Sequence, residues 1–210
     1  MSTDGSTVSG SAPSGGPRRA ERERATRETR IRVAVDLDGT GKARIATGIG
    51  FYDHLLTSFS GHSLIDVEIE AAGDLEVDEH HTVEDVALVL GDAISAALGD
   101  RKGITRFGDA VVPMDEALAR CALDLSGRPY AVLDLAFRGD RMGQLSTQLV
   151  EHALESLSRT AGMTLHLSAS GRNDHHVAEA AFKALARSLR AAVTPDPRRA
   201  GAVPSTKGAL

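Results

Sequence analysis

Apolar and polar residues alternate along Ile31–Asp38, the period of a strand with one buried face, and Gly39-Thr40-Gly41 turns the chain. Ala43–Thr47 reads as a short return strand. Phe51–Phe59 places Leu55, Leu56 and Phe59 on one helical stripe, and Leu64–Ala71 alternates again as a strand. His80–Leu98 carries Val83, Val86, Ala87, Leu90, Ile94 and Leu98 at helical spacing and stops at Gly99. The same order then recurs. Ala117–Ser126 is a strand turned at Gly127-Arg128-Pro129, and Tyr130–Phe137 is its return. Gln144–Thr160 is a helix, Met163–Ala169 a strand and His175–Ala192 a helix, with Ile104–Val112 as a strand linking the two cycles.

The two cycles share landmarks as well as order. Val33-Ala34-Val35-Asp36-Leu37-Asp38-Gly39 matches Cys121-Ala122-Leu123-Asp124-Leu125-Ser126-Gly127, and Asp53-His54-Leu55-Leu56 matches Glu151-His152-Ala153-Leu154. A double histidine follows each. This is an internal duplication of β-β-α-β-α halves, which predicts an α+β fold with sheets packed on helices. The expected division is a disordered tail over 1–20, a first half over 21–112 and a second over 113–210. The tail lacks apolar residues to offset its ordering entropy, and the alternating Arg and Glu of 18–30 reads as a solvated lead-in to the first strand.

Bulk properties narrow the function. At 210 residues, 41% hydrophobic and 25% charged, the chain has the make-up of a soluble globular protein. A net charge of −5 gives no support to a nucleic-acid or anionic-membrane partner. No apolar run reaches membrane-spanning length and no signal peptide is evident, so a cytoplasmic enzyme is expected. Cys121 is the only cysteine and reads as core filler. Asp36-Leu37-Asp38-Gly39-Thr40 spells the nucleophile loop of haloacid-dehalogenase-like phosphatases. A return strand follows it, however, so a tight hairpin turn is the better reading.

The chemistry lies in His80-His81-Thr82-Val83-Glu84 and His175-His176-Val177-Ala178-Glu179, which hold four of the eight histidines. On a helix, positions i and i+4 lie ~40° apart while neighbours diverge by ~100°. His80 and Glu84 can therefore reach one ion while His81 points elsewhere, and His175 and Glu179 can do the same while His176 points away. Pseudo-symmetric docking of the halves gives one site with His80, Glu84, His176 and His152, and another with His175, Glu179, His81 and His54. Three imidazoles and a carboxylate suit Mn²⁺, Fe²⁺ or Zn²⁺ better than Mg²⁺ or Ca²⁺. Whether the halves meet within one chain or between chains is left open. His166, in an alternating strand, has no such partner logic.

The segments Gly48–His54, His80–Val86, Arg106-Phe107-Gly108, Pro113–Ala117, Ser126–Tyr130, His175–Lys183 and Pro204–Gly208 together resemble the imidazoleglycerol-phosphate dehydratases of histidine biosynthesis. The resemblance spans roughly 28–208. It implies a fold like ribosomal protein S5 domain 2, two Mn²⁺ per active site, and a homo-oligomer, a 24-mer, with sites where subunits meet. It implies a hydro-lyase that removes water from imidazole glycerol phosphate to give imidazole acetol phosphate. The implied metal ligands are His54, His80, His81, Glu84, His152, His175, His176 and Glu179. Substrate contacts would be Glu28, His54, His62, His80, Glu84, Arg106, Arg128, His175, Lys183, Ser205, Thr206 and Lys207. Catalytic roles would fall to Glu28, His54, His80 and Glu179. Two readings compete: a dinuclear-metal phosphate-ester hydrolase, and a non-catalytic protein whose metals only join subunits.

Overall fold

The structure is a computed structural model, and it describes residues 16–199 and 201–207. Most of the expected tail, residues 1–15, lies outside the described residues. Two four-stranded sheets enclose four helices. The first sheet has the order β1-β2-β4-β3, from β1 (Arg19–Ala25), β2 (Thr29–Asp36), β3 (Ala43–Ala46) and β4 (Asp66–Gly73). The second has the order β5-β6-β10-β7, from β5 (Phe107–Met114), β6 (Ala117–Asp124), β7 (Tyr130–Leu135) and β10 (Thr164–Ser170). In each sheet the last strand runs parallel to its neighbour and the other pairs are antiparallel. The halves are thus topological copies in an α+β fold. A two-rung hairpin, β8 (Arg141–Met142) and β9 (Leu145–Ser146), is an addition to the second half.

Alternation explains the strands. In β2, Thr29, Ile31, Val33 and Val35 face inward, and in β6 Ala117, Ala119, Cys121 and Leu123 do. These faces bury against α1 (Gly50–Ser63), α2 (His80–Leu98), α3 (Thr147–Ala161) and α4 (Asp174–Val193). Helix α2 covers β1 and β2, and α4 covers β5 and β6. The halves meet helix to helix, α1 on α4 and α2 on α3. Because α4 lies between a sheet and a helix, it is alanine-rich and buried around much of its circumference.

Two sequence readings need correcting. The Arg/Glu segment is no mere lead-in: Arg19–Ala25 pairs along its whole length with β2. Its alternation is charged because it is an edge strand with only Ala20 against the core. Its ladder and its ion pairs (Arg19–Asp36, Arg22–Asp92, Arg24–Asp85) hold it instead. The supposed linking strand is β5, the counterpart of β1, and opens the second sheet. The Asp36–Thr40 loop follows a strand antiparallel to both neighbours, and Asp36 and Asp38 are bound by Arg19 and Arg18. It is a structural turn.

Candidate metal centres

Both double histidines open helices. Asn173 caps α4 by accepting from the His175 amide, and Asp78 accepts from the His80 amide. Since α1 packs on α4 and α3 on α2, the early turns of α1 and α3 bring in a histidine each. Two groups result: His54, His175 and Glu179, and His80, Glu84 and His152, each with its ligand atoms within 4.8 Å of one another. Each group takes one helix from each half.

In the first group, His54 Nε2 and His175 Nε2 both lie 2.8 Å from Glu179 Oε1. Lys183 Nζ is 2.6 Å from Oε2 of the same carboxylate. Glu179 is buried. Burial opposes its charge, but the donors from Lys183, His54 and His175 outweigh that and hold its pKa down at about 2. Phe51 packs beside both rings, its centroid 4.8 Å from His175 and 5.9 Å from His54. In the second group, the His80 and His152 rings lie 4.9 Å apart. His152 Nε2 is buried 3.4 Å from Glu84 Oε1, yet makes no hydrogen bond among the described residues.

These residues fit a divalent metal. Ligands ~2.0–2.2 Å from one ion lie at most ~4.4 Å apart, so both groups need close by only tenths of an ångström. The orphaned His152 nitrogen lacks the partner that a buried polar atom normally has. Imidazole with carboxylate is a transition-metal donor set.

The other two histidines expected as ligands, His81 and His176, do not join these groups within the chain. His81 Nδ1 is 3.0 Å from Asp74 Oδ2, and His176 Nδ1 is 2.9 Å from Glu116 Oε2. Adjacent rings on one helix stand edge-on, 6.0 Å apart, in both motifs. Hydrogen bonding to Asp74 raises the His81 pKa, with the charge of Glu28 contributing; the Asp74 amide donates to the Glu28 carbonyl at 3.1 Å, which puts Glu28 near this end. Hydrogen bonding to His176 is the largest effect lowering Glu116, to about 2.

The expected phosphate contacts lie elsewhere. Arg106 bonds Asp124 at 2.6 and 2.9 Å and the Pro204 carbonyl at 2.6 Å, and Arg128 is 3.6 Å from Asp124. Asp124 ends β6, whereas Glu116, beside His176, precedes it. The length of β6, ~23 Å, separates these cations from Glu116 and the His176 that it holds. Lys183 and His62 lie along the α1–α4 seam. Burial first, then Lys183 and Arg187, lower the His62 pKa. His166 is exposed on the outer sheet face.

Glu116 falls in the matched segment Pro113–Ala117, but no local motif ties it to His176, 60 positions away, or Asp74 to His81, 7 positions on. Also unforeseen is a cleft of about 570 Å³ beside His175, lined by Phe51, Arg138, Arg141, Met142 and Arg172.

The family model for imidazoleglycerol-phosphate dehydratase matches residues 47–189. The chain is 57% identical over 194 residues to the imidazoleglycerol-phosphate dehydratase of Acidiphilium cryptum, covering 92% of this chain and 99% of that protein. It is 55% identical over 194 residues to that of Cereibacter sphaeroides, covering 92% and 100%. Among solved structures, the Staphylococcus aureus dehydratase matches with a TM-score of 0.77 at 35% identity, over 84% of this chain and 99% of that one. The Pyrococcus furiosus enzyme, in complex with (S)-C348, matches with a TM-score of 0.77 at 36% identity, over 90% and 100%.

Proposed function

The chain belongs to the imidazoleglycerol-phosphate dehydratase family, the hydro-lyases of histidine biosynthesis, and we propose that its two histidine–glutamate groups are the metal centres of that reaction. The observation that carries this reading is the convergence of His54, His175 and Glu179, and of His80, Glu84 and His152, from helices of opposite halves.

The substrate is imidazole glycerol phosphate and the product imidazole acetol phosphate. The difficulty is electronic: the proton leaving C2 has no adjacent carbonyl to acidify it, and hydroxide is a poor leaving group. The imidazole ring is the substrate's one electron reservoir. Two Mn²⁺ per active site, held by the two groups, would supply Lewis acidity to the ring nitrogens. The chain's residues position and protect. Lys183 keeps Glu179 ionised and ready as a ligand, a task the two histidines share only until they give their Nε2 lone pairs to the ion, and Phe51 walls the His54/His175 group. Glu28, in the β1–β2 turn, is the proposed base for the C2 proton. His62, His80 and Glu84 complete the substrate pocket.

Phosphate is bound by Arg106, Arg128, Ser205, Thr206 and Lys207, where the guanidinium forks suit its oxygens. Because Arg106 and Arg128 lie at the far end of β6 from His176, the working site needs another copy of the chain. His81 and His176, turned out of their own groups, are the fourth ligands that a neighbouring copy would receive. A homo-oligomer with intersubunit sites follows from this reading; its count, 24 copies, rests on the family resemblance alone. Two structural halves also follow, with the border best drawn ahead of β5.

Product analysis after incubation with imidazole glycerol phosphate and Mn²⁺ tests the proposal. The dehydratase yields a ketone that keeps its phosphate. Release of inorganic phosphate would identify a hydrolase instead, and unchanged substrate a non-catalytic assembly.

A further inference from the structure

Two carboxylates outside both metal groups each hold one outward histidine. Asp74, in the loop after β4, lies 3.2 and 3.0 Å by its two oxygens from His81 Nδ1. Glu116, in the β5–β6 turn, contacts His176 Nδ1 with Oε2 at 2.9 Å, and its Oε1 accepts the amides of Arg172 and Asn173 at 3.0 and 2.8 Å. A carboxylate can only accept, so each Nδ1 must carry the proton. In the neutral ring the lone pair is then on Nε2, the nitrogen pointing away from the holding carboxylate. A histidine bound through one nitrogen is commonly oriented in this way through the other.

We propose that Asp74 and Glu116 are positioning residues that fix the tautomer of His81 and His176, so that Nε2 of each is a ready metal ligand. This rests on the metal reading above. The two devices differ in one testable respect. Glu116 is pinned on its far side by two backbone donors, whereas among the described residues the Asp74 side chain bonds only His81. In Glu116→Gln the carbonyl stays with the Arg172 and Asn173 amides, so the NH₂ faces Nδ1. That nitrogen must then accept, and the proton moves to Nε2. In Asp74→Asn the amide can turn its oxygen to His81 and leave the tautomer as it was.

Nitrogen–proton correlation NMR of the histidine rings in the metal-free protein reads the tautomers directly. Calorimetric titration with Mn²⁺ reads the consequence. Wild type should show Nδ1–H at both residues. Glu116→Gln should show Nε2–H at His176 and bind one class of Mn²⁺ ~10–100-fold more weakly. Its circular dichroism and metal-free melting temperature should be near wild type. Asp74→Asn should keep Nδ1–H at His81 and near-normal affinity. Wild-type protein with Nε2–H at His176, or Glu116→Gln with both affinities intact, overturns the proposal. Wild-type protein that binds no divalent metal overturns the metal reading as well, which separates the two failures.

Discussion

Gly91 sits where α2 crosses α3, and substituting it with alanine should damage one metal group and spare the other. A Cβ at this position would lie 2.6 Å from the Leu157 carbonyl oxygen, 2.8 Å from the Ala161 amide and 2.1 Å from Thr160 Oγ1. The threonine can rotate away, but the carbonyl cannot. Restoring ordinary contact at ~3.4 Å requires α2 and α3 to separate by about 0.8 Å here. Overpacking of this kind costs about 1–3 kcal/mol, against which alanine in place of glycine in a helix recovers up to ~1 kcal/mol. The net loss should be about 1–2 kcal/mol, a fall in melting temperature of roughly 2–8 °C for a chain of this size. Glu84 is two turns upstream on the same helix and His152 on the facing one. Metal sites tolerate errors of only ~0.2 Å, so a splay of several tenths at this pair should weaken Mn²⁺ at least ~10-fold. The group on α1 and α4 does not share this contact. Calorimetric unfolding and Mn²⁺ titration of Gly91→Ala together test the reasoning. Two undiminished metal affinities, or a more stable protein, would refute it.

Three further outcomes follow from the geometry. Arg101 is buried and donates to the Ala161, Gly162 and Leu125 carbonyls and to Ser95 Oγ, closing the end of α3 against the first half. Arg101→Met should cost about 3 kcal/mol, seen as a melting temperature lower by ~6–12 °C with the metal stoichiometry intact. Burial pushes the Cys121 thiol up to about 11, so it should resist iodoacetamide at pH 8 until the chain unfolds; rapid labelling of the native protein contradicts this. Glu28→Gln should lower kcat at least ~100-fold with Mn²⁺ affinity unchanged, and unaltered turnover would remove Glu28 from proton transfer.

The parts of this molecule that were legible in the sequence are those written at short range. Alternation in β2 and β6 and the 3.6-residue stripe of α2 follow from which face meets the core, and that face is apolar. The pairing of His175 with Glu179 is a matter of one helical turn. The duplication made the exchange of His54 and His152 between halves readable, because equivalent helices must cross in equivalent ways. Elements held by other means left no such trace. Strand β1 is stabilised by its ladder and by ion pairs, so its composition resembles a solvated segment. Strand β5 reads as a link until the second sheet shows it to be the counterpart of β1. The carboxylate partners of His81 and His176 come from loops, and their proximity depends on tertiary packing. The distance between His176 and Arg106 follows from the length of β6, and no motif spacing reports it.

The account stands most directly on metal reconstitution. Chelated protein should give no ketone from imidazole glycerol phosphate, and stepwise addition of Mn²⁺ should restore turnover until two ions are bound per chain. Glu179→Gln should remain inactive throughout that titration. Full turnover in the chelated, metal-free protein would contradict the account.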